Sequence, residues 1–334
     1  LHIMKVRKQL LQKKRSNNYP MKVLGIVAEY NPLHNGHLYH INKAKQETGA
    51  DAVIVALSGD YVQRGELASA NKWVRAESAI KNGIDAVFEI PTYACLGNAS
   101  VYASAGIELL AATGVVDVIS FGSESGNLEE LTEIASNMND GRICERISEL
   151  SKDGHSYPRA RAIAYEEFFG SDSNEILSRP NDILAIEYIK AHLALKNSNI
   201  VLHAVKRESS GYSAAFDNSM RFQSASGIRQ AIRDEIDVSD FMPEDSLKHV
   251  ESYSSSMQDK VDGNLFNLIR YALINLSAAD IDEFPSGGEG IGGRLLEIYT
   301  KCNTFEDLVI GAKSKRYTYK IGRASCRERV YGEC

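Results

Sequence analysis

Short apolar runs alternate with amphipathic stretches through most of the chain. "KVLGIVAEY" at 22–30 reads as a strand and "GHLYHINKAKQETG" after it as a helix closed by glycine. "DAVIVAL" predicts a second strand and "NKWVRAESAIKNG" a second helix ending at Gly83. "DAVFEIP" and "DVISFGS" predict the third and fourth strands, followed by helices over 100–112 and 127–137. A further strand, "IVLHAVK" at 200–206, falls between helices near 183–195 and 226–234. Continuous apolar strands alternating with helices predict βαβ units, so an α/β fold with a doubly wound parallel sheet covered on both faces.

From 237 to 263 the text turns acidic and serine-rich ("DVSDFMPEDSLKHVESYSSSMQDKVDG"), which reads as a linker or mobile connection. "NLFNLIRYALINL" and "GGRLLEIYTKC" then return to helical periodicity, so a smaller helical unit is expected.

Composition narrows the class. Of 334 residues, 43% are hydrophobic and 25% charged, ordinary for a globular protein. No run of eighteen apolar residues occurs, so no membrane span is expected. Five scattered cysteines form neither a CxxC pair nor a disulfide framework, and with no secretory signal they point to the cytoplasm. Both ends look foreign to the fold. Residues 1–20 carry six basic side chains and no acid, and read as an upstream region or targeting-like extension before Met21. Residues 321–334 ("IGRASCRERVYGEC") read as an artefactual tail that interrupts the chain near Lys320. Without these ends the basic count falls from 38 to 29 and the acidic from 44 to 42, a net charge of −13. A body so acidic does not advertise nucleic acid, and any such partner must be met by a local basic patch.

The candidate chemistry lies in "EYNPLHNGHLYH", where His34, His37 and His40 occupy seven positions at a strand-to-helix junction. In doubly wound sheets ligands sit beyond the carboxyl ends of the strands, and free N–H groups at a helix start favour an anion. Gly36 allows a tight turn and close approach to a ligand. His34 and His37 flank the helix start, each offering a ring N–H that can meet phosphate oxygens and stabilise charge on departing pyrophosphate. A zinc pair is the competing role, but no Cys, Asp or Glu cluster nearby completes a tetrahedral set, so no protein-held metal is expected. Plain surface polarity is the other. His40, one turn further on, suits a structural or a functional role equally.

His34-Asn35-Gly36-His37 resembles the HxGH signature of the nucleotidyltransferase superfamily, and "SASGIRQAI", with Ser226 and Arg229, resembles its (S/T)xxR helix start. More of the text ("GIVAEYNPLHNGHLYHI", "LSGDYVQRGELA", "SRPNDILAIEY", "VKRESSGY", "KSKRYTY") resembles the tRNA(Met) cytidine acetate ligase family across Met21 to Lys320. The resemblance implies a Rossmann-like nucleotidyltransferase domain over 21–235 and a helical tRNA-binding region over 236–320, truncated by the tail. It implies an ATP-dependent ligase that converts acetate to acetyl-adenylate, then transfers acetyl to the exocyclic amine of the wobble cytidine of elongator tRNA(Met). ATP is then a substrate, accompanied by Mg2+, and tRNA(Met) and acetate are the partners; no stable protein partner is expected.

By the same resemblance the ATP site comprises Val27, Ala28, Glu29, Tyr30, Asn31, Pro32, Leu33, His34, Asn35, Gly36, His37, Leu38, Tyr39 and His40, with Gly122, Asn181, Arg207, Ser226 and Arg229. Gly122 ends strand four, where a side chain would block a nucleotide. Asn181, after Pro180, either reads a nucleoside edge or simply shapes a turn. Arg207 ends the fifth strand and suits a phosphate, or pairs with Glu208 at the surface. Asp60, Gln63 and Arg64 follow strand two and are candidates for the acetate pocket, with Asp60 a conceivable base; an ordinary loop is the alternative. Lys313, Lys315, Arg316 and Tyr317 could meet tRNA through phosphate contacts and base stacking, or form a solvated face, and Arg159 and Arg161 offer a smaller patch. Two rivals share the same signatures: a small-molecule adenylyl- or cytidylyltransferase, and a non-catalytic RNA-binding protein that retains the nucleotide fold.

Overall fold

A computed structural model describes residues 21–63, 65–138, 140–170, 173–196, 198–208, 216–217, 219–251, 255–283 and 290–313. Five strands, β1 (Val23–Ala28), β2 (Ala52–Ser58), β3 (Ala86–Ile90), β4 (Val118–Ser123) and β5 (Val201–Lys206), form one sheet in the order β3-β2-β1-β4-β5. Every pairing is parallel. The order reverses between β1 and β4, so the crevice of a doubly wound sheet opens at their carboxyl ends.

The strand starts are fastened by the aspartates that open the apolar runs. Asp51 accepts the Lys22 N–H at 2.7 Å, Asp85 the Val53 N–H at 2.9 Å and Asp117 the Val23 N–H at 2.8 Å. Each carboxylate therefore ties its own strand to a neighbour at the edge away from the crevice.

Alternating strand residues supply the two cores. Helices α1 (Asn35–Thr48) and α2 (Lys72–Lys81) cover one face, where Ile41, Ala44 and Ala79 pack with Leu24, Ile26, Val53 and Val55. The other face meets α3 (Thr92–Leu96), α4 (Ala99–Ala112), α5 (Leu128–Asn137), α6 (Gly141–Lys152), α7 (Tyr157–Phe169), α8 (Ser173–Ser178) and α9 (Pro180–Ala194). There Val23, Ile54 and Ala56 pack with Tyr102, Ile107, Leu110 and Ile186. Helices α6 to α8 lie in a stretch for which no element was expected. Their buried residues, such as Ile143, Ile147, Ala160 and Tyr165, extend the same core.

The reading of 237–263 as a linker is corrected. After α10 (Ala225–Arg233), a 3-10 turn at Ser239–Phe241 and α11 (Glu244–Glu251) bring Val238, Phe241, Met242 and Val250 into a core with Ile228 and Ala231. The apolar residues are spaced to one side, and the abundant acids occupy the solvated face. Helices α12 (Ser255–Asn275), α13 (Ala278–Asp282), α14 (Ile291–Ile298) and α15 (Phe305–Ala312) form the expected helical unit. Its core includes Phe266, Ile269, Leu295 and Leu308, and extends to Tyr61 after β2 and Leu96 of α3. Among the described residues no helix is long and apolar enough to cross a membrane.

Candidate active site

The residues "HNGH" form the first turn of α1, directly beyond β1. His34 is the N-cap, with extended φ and ψ of −138° and 170°, and it is 3% exposed. Its Nδ1 accepts the Gly36 N–H at 3.1 Å, while His37 Nδ1 accepts the His34 N–H at 3.3 Å. The two imidazoles therefore cap the same helix start reciprocally, with ring centroids 3.7 Å apart. Tyr30 packs edge-on to His37 at 5.0 Å.

Burial, with Arg207 and Arg229 nearby, pushes the His34 imidazole down to about 3. His37 lies well below the usual histidine value for the same first reason, reinforced by His34, Arg207 and His40. Both rings are thus neutral near pH 7. Because each Nδ1 is occupied as an acceptor, the ring proton of each resides on Nε2. The junction therefore holds two fixed N–H donors at a helix N-terminus, a set suited to phosphate oxygens.

Gly36 has a further role in this geometry. A Cβ there would lie 2.9 Å from His34 Cε1, so the position must be glycine for the capping ring to fit.

Two guanidinium groups stand beside the pair. Arg207 follows β5, its N–H donates to Ser123 O at 2.8 Å, and its side chain crosses the end of β4 above Gly122. A Cβ at Gly122 would sit 3.4 Å from Arg207 Cγ, in ordinary van der Waals contact with the arginine side chain. Arg229, on α10, donates to Asn31 O at 2.6 Å and approaches Glu66 at 3.4 Å. The start of α10 falls earlier than predicted: Ser224 is the cap, accepting the Gly227 N–H at 3.0 Å, and Ser226 lies in the first turn with its hydroxyl 3.1 Å from that of Ser224.

Asn181 lies in the first turn of α9, and its side-chain amide donates to Glu124 at 2.5 Å. Glu124 also accepts the Asp182 N–H at 2.9 Å, so a carboxylate from the loop after β4 caps α9. The fully buried Asp182 returns the tie by accepting the Ser123 hydroxyl at 2.5 Å. Glu124 and Asp182 were not foreseen; an acid placed just after a strand, opposite a Pro-Asn-Asp helix start, is the signal that points to them.

The remaining residues divide by contact. Val27 packs against Gly106, while Leu33 and Leu38 belong to the core beneath α1. Ala28 ends β1, and Pro32 follows a cis Asn31–Pro32 bond. Glu29 accepts the Gln63 N–H at 3.0 Å, and Asn31 accepts the Ser69 N–H at 2.6 Å. Asn35 donates to Asp240 O at 2.8 Å, and Ser246 donates to Leu33 O at 2.8 Å, so the segment after α10 clamps the histidine loop from behind. Tyr39 donates to Glu208 and stacks near Phe222, with ring centroids 5.1 Å apart. His40 Nε2 lies 2.9 Å from Ser120 Oγ. Asp60 accepts the Lys72 N–H at 2.8 Å, a loop-fastening contact at the start of α2. Arg161 is buried and 3.8 Å from Glu187, which removes it from the expected basic patch. Lys313 is exposed at the end of α15, whereas Arg64, Lys315, Arg316 and Tyr317 fall outside the described residues.

A doubly wound parallel sheet with an HxGH helix start at its switch point defines a nucleotidyltransferase-type protein. Comparison with known proteins agrees. The family model described as HIGH Nucleotidyl Transferase matches residues 21–328. The tRNA(Met) cytidine acetate ligase of Clostridium novyi is 34% identical over 317 residues, covering 92% of this chain and 78% of that protein. The protein of the same name from Fervidobacterium nodosum is 37% identical over 311 residues, covering 91% and 72%. A crystal structure of Thermotoga maritima TmcAL bound with alpha-thio ATP superposes with a TM-score of 0.81 at 32% identity, covering 93% of this chain and 75% of that one. The chain belongs to the HIGH nucleotidyl transferase family and, within it, to the tRNA(Met) cytidine acetate ligases.

Proposed function

We propose that this chain is an ATP-dependent ligase that activates acetate as acetyl-adenylate and acetylates the wobble cytidine of elongator tRNA(Met), giving N4-acetylcytidine. The carrying observation is the reciprocally capped His34–His37 pair, neutral and donating from Nε2, at the switch point of the sheet. The names of the relatives and the ATP analogue held by a structural neighbour support the same reading.

In the first step an acetate oxygen forms a bond to the α-phosphorus of ATP and the bond to the β-phosphate bridging oxygen breaks. Pyrophosphate leaves with that electron pair. The His34 and His37 ring N–H donors, Arg207 and Arg229 stabilise the charge that develops. In the second step the cytidine amine attacks the acetyl carbonyl, AMP departs and the amine loses a proton. Holding both partners in one crevice compensates for the weak nucleophilicity of that amine.

Among the described residues no group of three or more His, Cys, Asp or Glu is placed to hold a metal ion. Magnesium keeps most of its waters and is carried on phosphate oxygens, so it accompanies ATP as part of the substrate. Residues 21–235 form the nucleotide-activating part in this reading. The region over 236–320 presents tRNA, with Lys313, Lys315, Arg316 and Tyr317 as its contacts. Acetate enters beside Asp60, Gln63 and Arg64. In this reading the enzyme works on tRNA in the cytoplasm.

The test is incubation with labelled acetate, ATP and tRNA(Met). The expected products are acetyl-adenylate, pyrophosphate and labelled tRNA. Pyrophosphate release driven by a phosphate ester and indifferent to acetate would instead identify a small-molecule transferase. Binding of tRNA with no ATP turnover, unaffected by His34→Ala, would identify a non-catalytic RNA binder.

A further inference from the structure

Behind the histidine pair, four polar side chains from three elements form a continuous chain. His40 Nε2 on α1 lies 2.9 Å from Ser120 Oγ on β4. Ser120 Oγ lies 3.1 Å from Nδ1 of His203, its register partner on β5. His203 Nε2 lies 3.1 Å from the Glu47 carboxylate near the end of α1. Ser120 is fully buried, whereas the Glu47 side chain is 44% exposed, so the chain runs from the interior to solvent.

Hydrogen-bond polarity propagates along such a chain, because each member can donate in only one direction at a time. An ionised carboxylate only accepts, so a neutral His203 places its single proton on Nε2 and keeps a lone pair on Nδ1. Ser120 then donates to that lone pair, and its oxygen must accept from His40 Nε2–H. His40 is held neutral, pushed down to about 3 by burial, Arg207 and His203. With its one proton on Nε2, its Nδ1 carries a lone pair.

His34 and His37 are ordered in the opposite sense: their Nδ1 atoms are engaged by the backbone, which leaves Nε2 as the donor. His40 stands one turn beyond His37 on the same side of α1, and Arg207 acts on all three rings. A ring presenting a lone pair repels a phosphate oxygen and suits a hydroxyl or amino hydrogen.

We infer that Glu47, His203 and Ser120 are positioning residues that hold His40 in the tautomer with a free Nδ1 lone pair, making it an acceptor for a hydroxyl or amino group of the bound nucleotide. The assignment of the ligand rests on the function proposed above; the ordering of the ring does not.

The two parts are tested separately. Nitrogen-15 spectra of the intact protein, recorded at pH 8.5 without nucleotide, report which ring nitrogen of His40 carries the proton. In the wild type Nε2 is expected to be protonated. His203→Gln preserves the polarity, since its carbonyl accepts from Ser120 and its amide donates to Glu47. His203→Lys can only donate, so Ser120 must donate to His40 and the proton moves to Nδ1. Ser120→Ala removes the link and leaves His40 a mixture. The His34 and His37 resonances in the same spectra serve as the control for folding. A His40 pattern identical in wild type, H203K and S120A, with those control signals intact, overturns the ordering.

For the ligand, ATP is expected to bind H203K about three- to tenfold more weakly than H203Q, the loss of one neutral hydrogen bond. A swapped tautomer with equal ATP affinity overturns the His40–nucleotide contact. Failure of the wild type itself to bind ATP would remove the proposed function, while the spectra still decide the ordering.

Discussion

Gly36 lies against the imidazole of His34, with a hypothetical Cβ 2.9 Å from Cε1 and 3.0 Å from Nδ1. The same Nδ1 accepts the Gly36 N–H, so the close approach and the hydrogen bond are one feature. Gly36→Ala displaces the ring and releases the tautomer that the cap fixes. Alanine gains up to about 1 kcal/mol of helix propensity over glycine, which offsets part of the strain. The expected result is a fall of about tenfold or more in acetate-dependent ATP–pyrophosphate exchange with little change in melting temperature. His34→Ala should reduce that exchange by about a hundredfold, the usual scale for losing one donor to a developing charge.

Acid should weaken the fold through the histidines. His34 and His40 are pushed down to about 3 from the ordinary 6.5, and His37 well below it. An unfolded chain takes up protons near the ordinary value, and the folded chain does so only near the lowered ones. Between the two the unfolded state binds more protons, so stability falls as pH drops below about 6.5. Each such group contributes about 1.4 kcal/mol per pH unit. Urea midpoints measured from pH 7 to pH 5 should therefore decline, and His34→Asn, which can still cap the helix, should flatten the slope by about one proton.

Arg75 joins the ends of the first two strands. Its guanidinium, 3% exposed, donates to Glu29 O at 2.6 Å, Ser58 O at 3.1 Å and Ala70 O at 2.9 Å, and also to Gly59 O. A lysine offers one nitrogen for these separated carbonyls, and a methionine none. Arg75→Met should cost about 3 kcal/mol or more, because several buried acceptors lose their partner at once. Chemical denaturation at pH 7.5 measures it; a cost under about 1 kcal/mol would show that water or relaxation replaces the guanidinium.

Arg75 also marks where the sequence stops being legible. The strands of the sheet can be read from it because β1 to β4 are short apolar runs, and the histidine loop because its residue types are unusual in that place. Nothing in "NKWVRAESA" distinguishes a buried arginine from a solvated one, since that depends on which backbone carbonyls another loop brings to it. Glu124 is hidden for the same reason: its partners Asn181 and Asp182 lie 57 and 58 positions away. The 237–251 segment was obscured by its charge, although Phe241, Met242 and Val250 already carried the pattern of a packed face. What a single sequence loses here is long-range pairing of polar groups, and the site is built mainly from such pairs.

In the proposed function Arg207 acts both on the triphosphate and on the histidines, and two substitutions separate these effects. Its charge depresses His34, His37 and His40, after burial itself. Arg207→Ala removes that pressure, so the imidazole pKa values should rise when followed by nuclear magnetic resonance from pH 3 to 7. The triphosphate also loses a charged donor, worth about 1.5–3 kcal/mol, so the ATP dissociation constant should increase roughly tenfold to a hundredfold. Arg207→Lys retains the charge without the planar fork. It should leave the histidines close to their wild-type values and recover only part of the ATP affinity. If Arg207 merely balanced Glu124 or Glu208, both variants would bind ATP like the wild type. The histidines report the field and ATP reports the fork, so a lysine that restores one without the other assigns Arg207 to the phosphates.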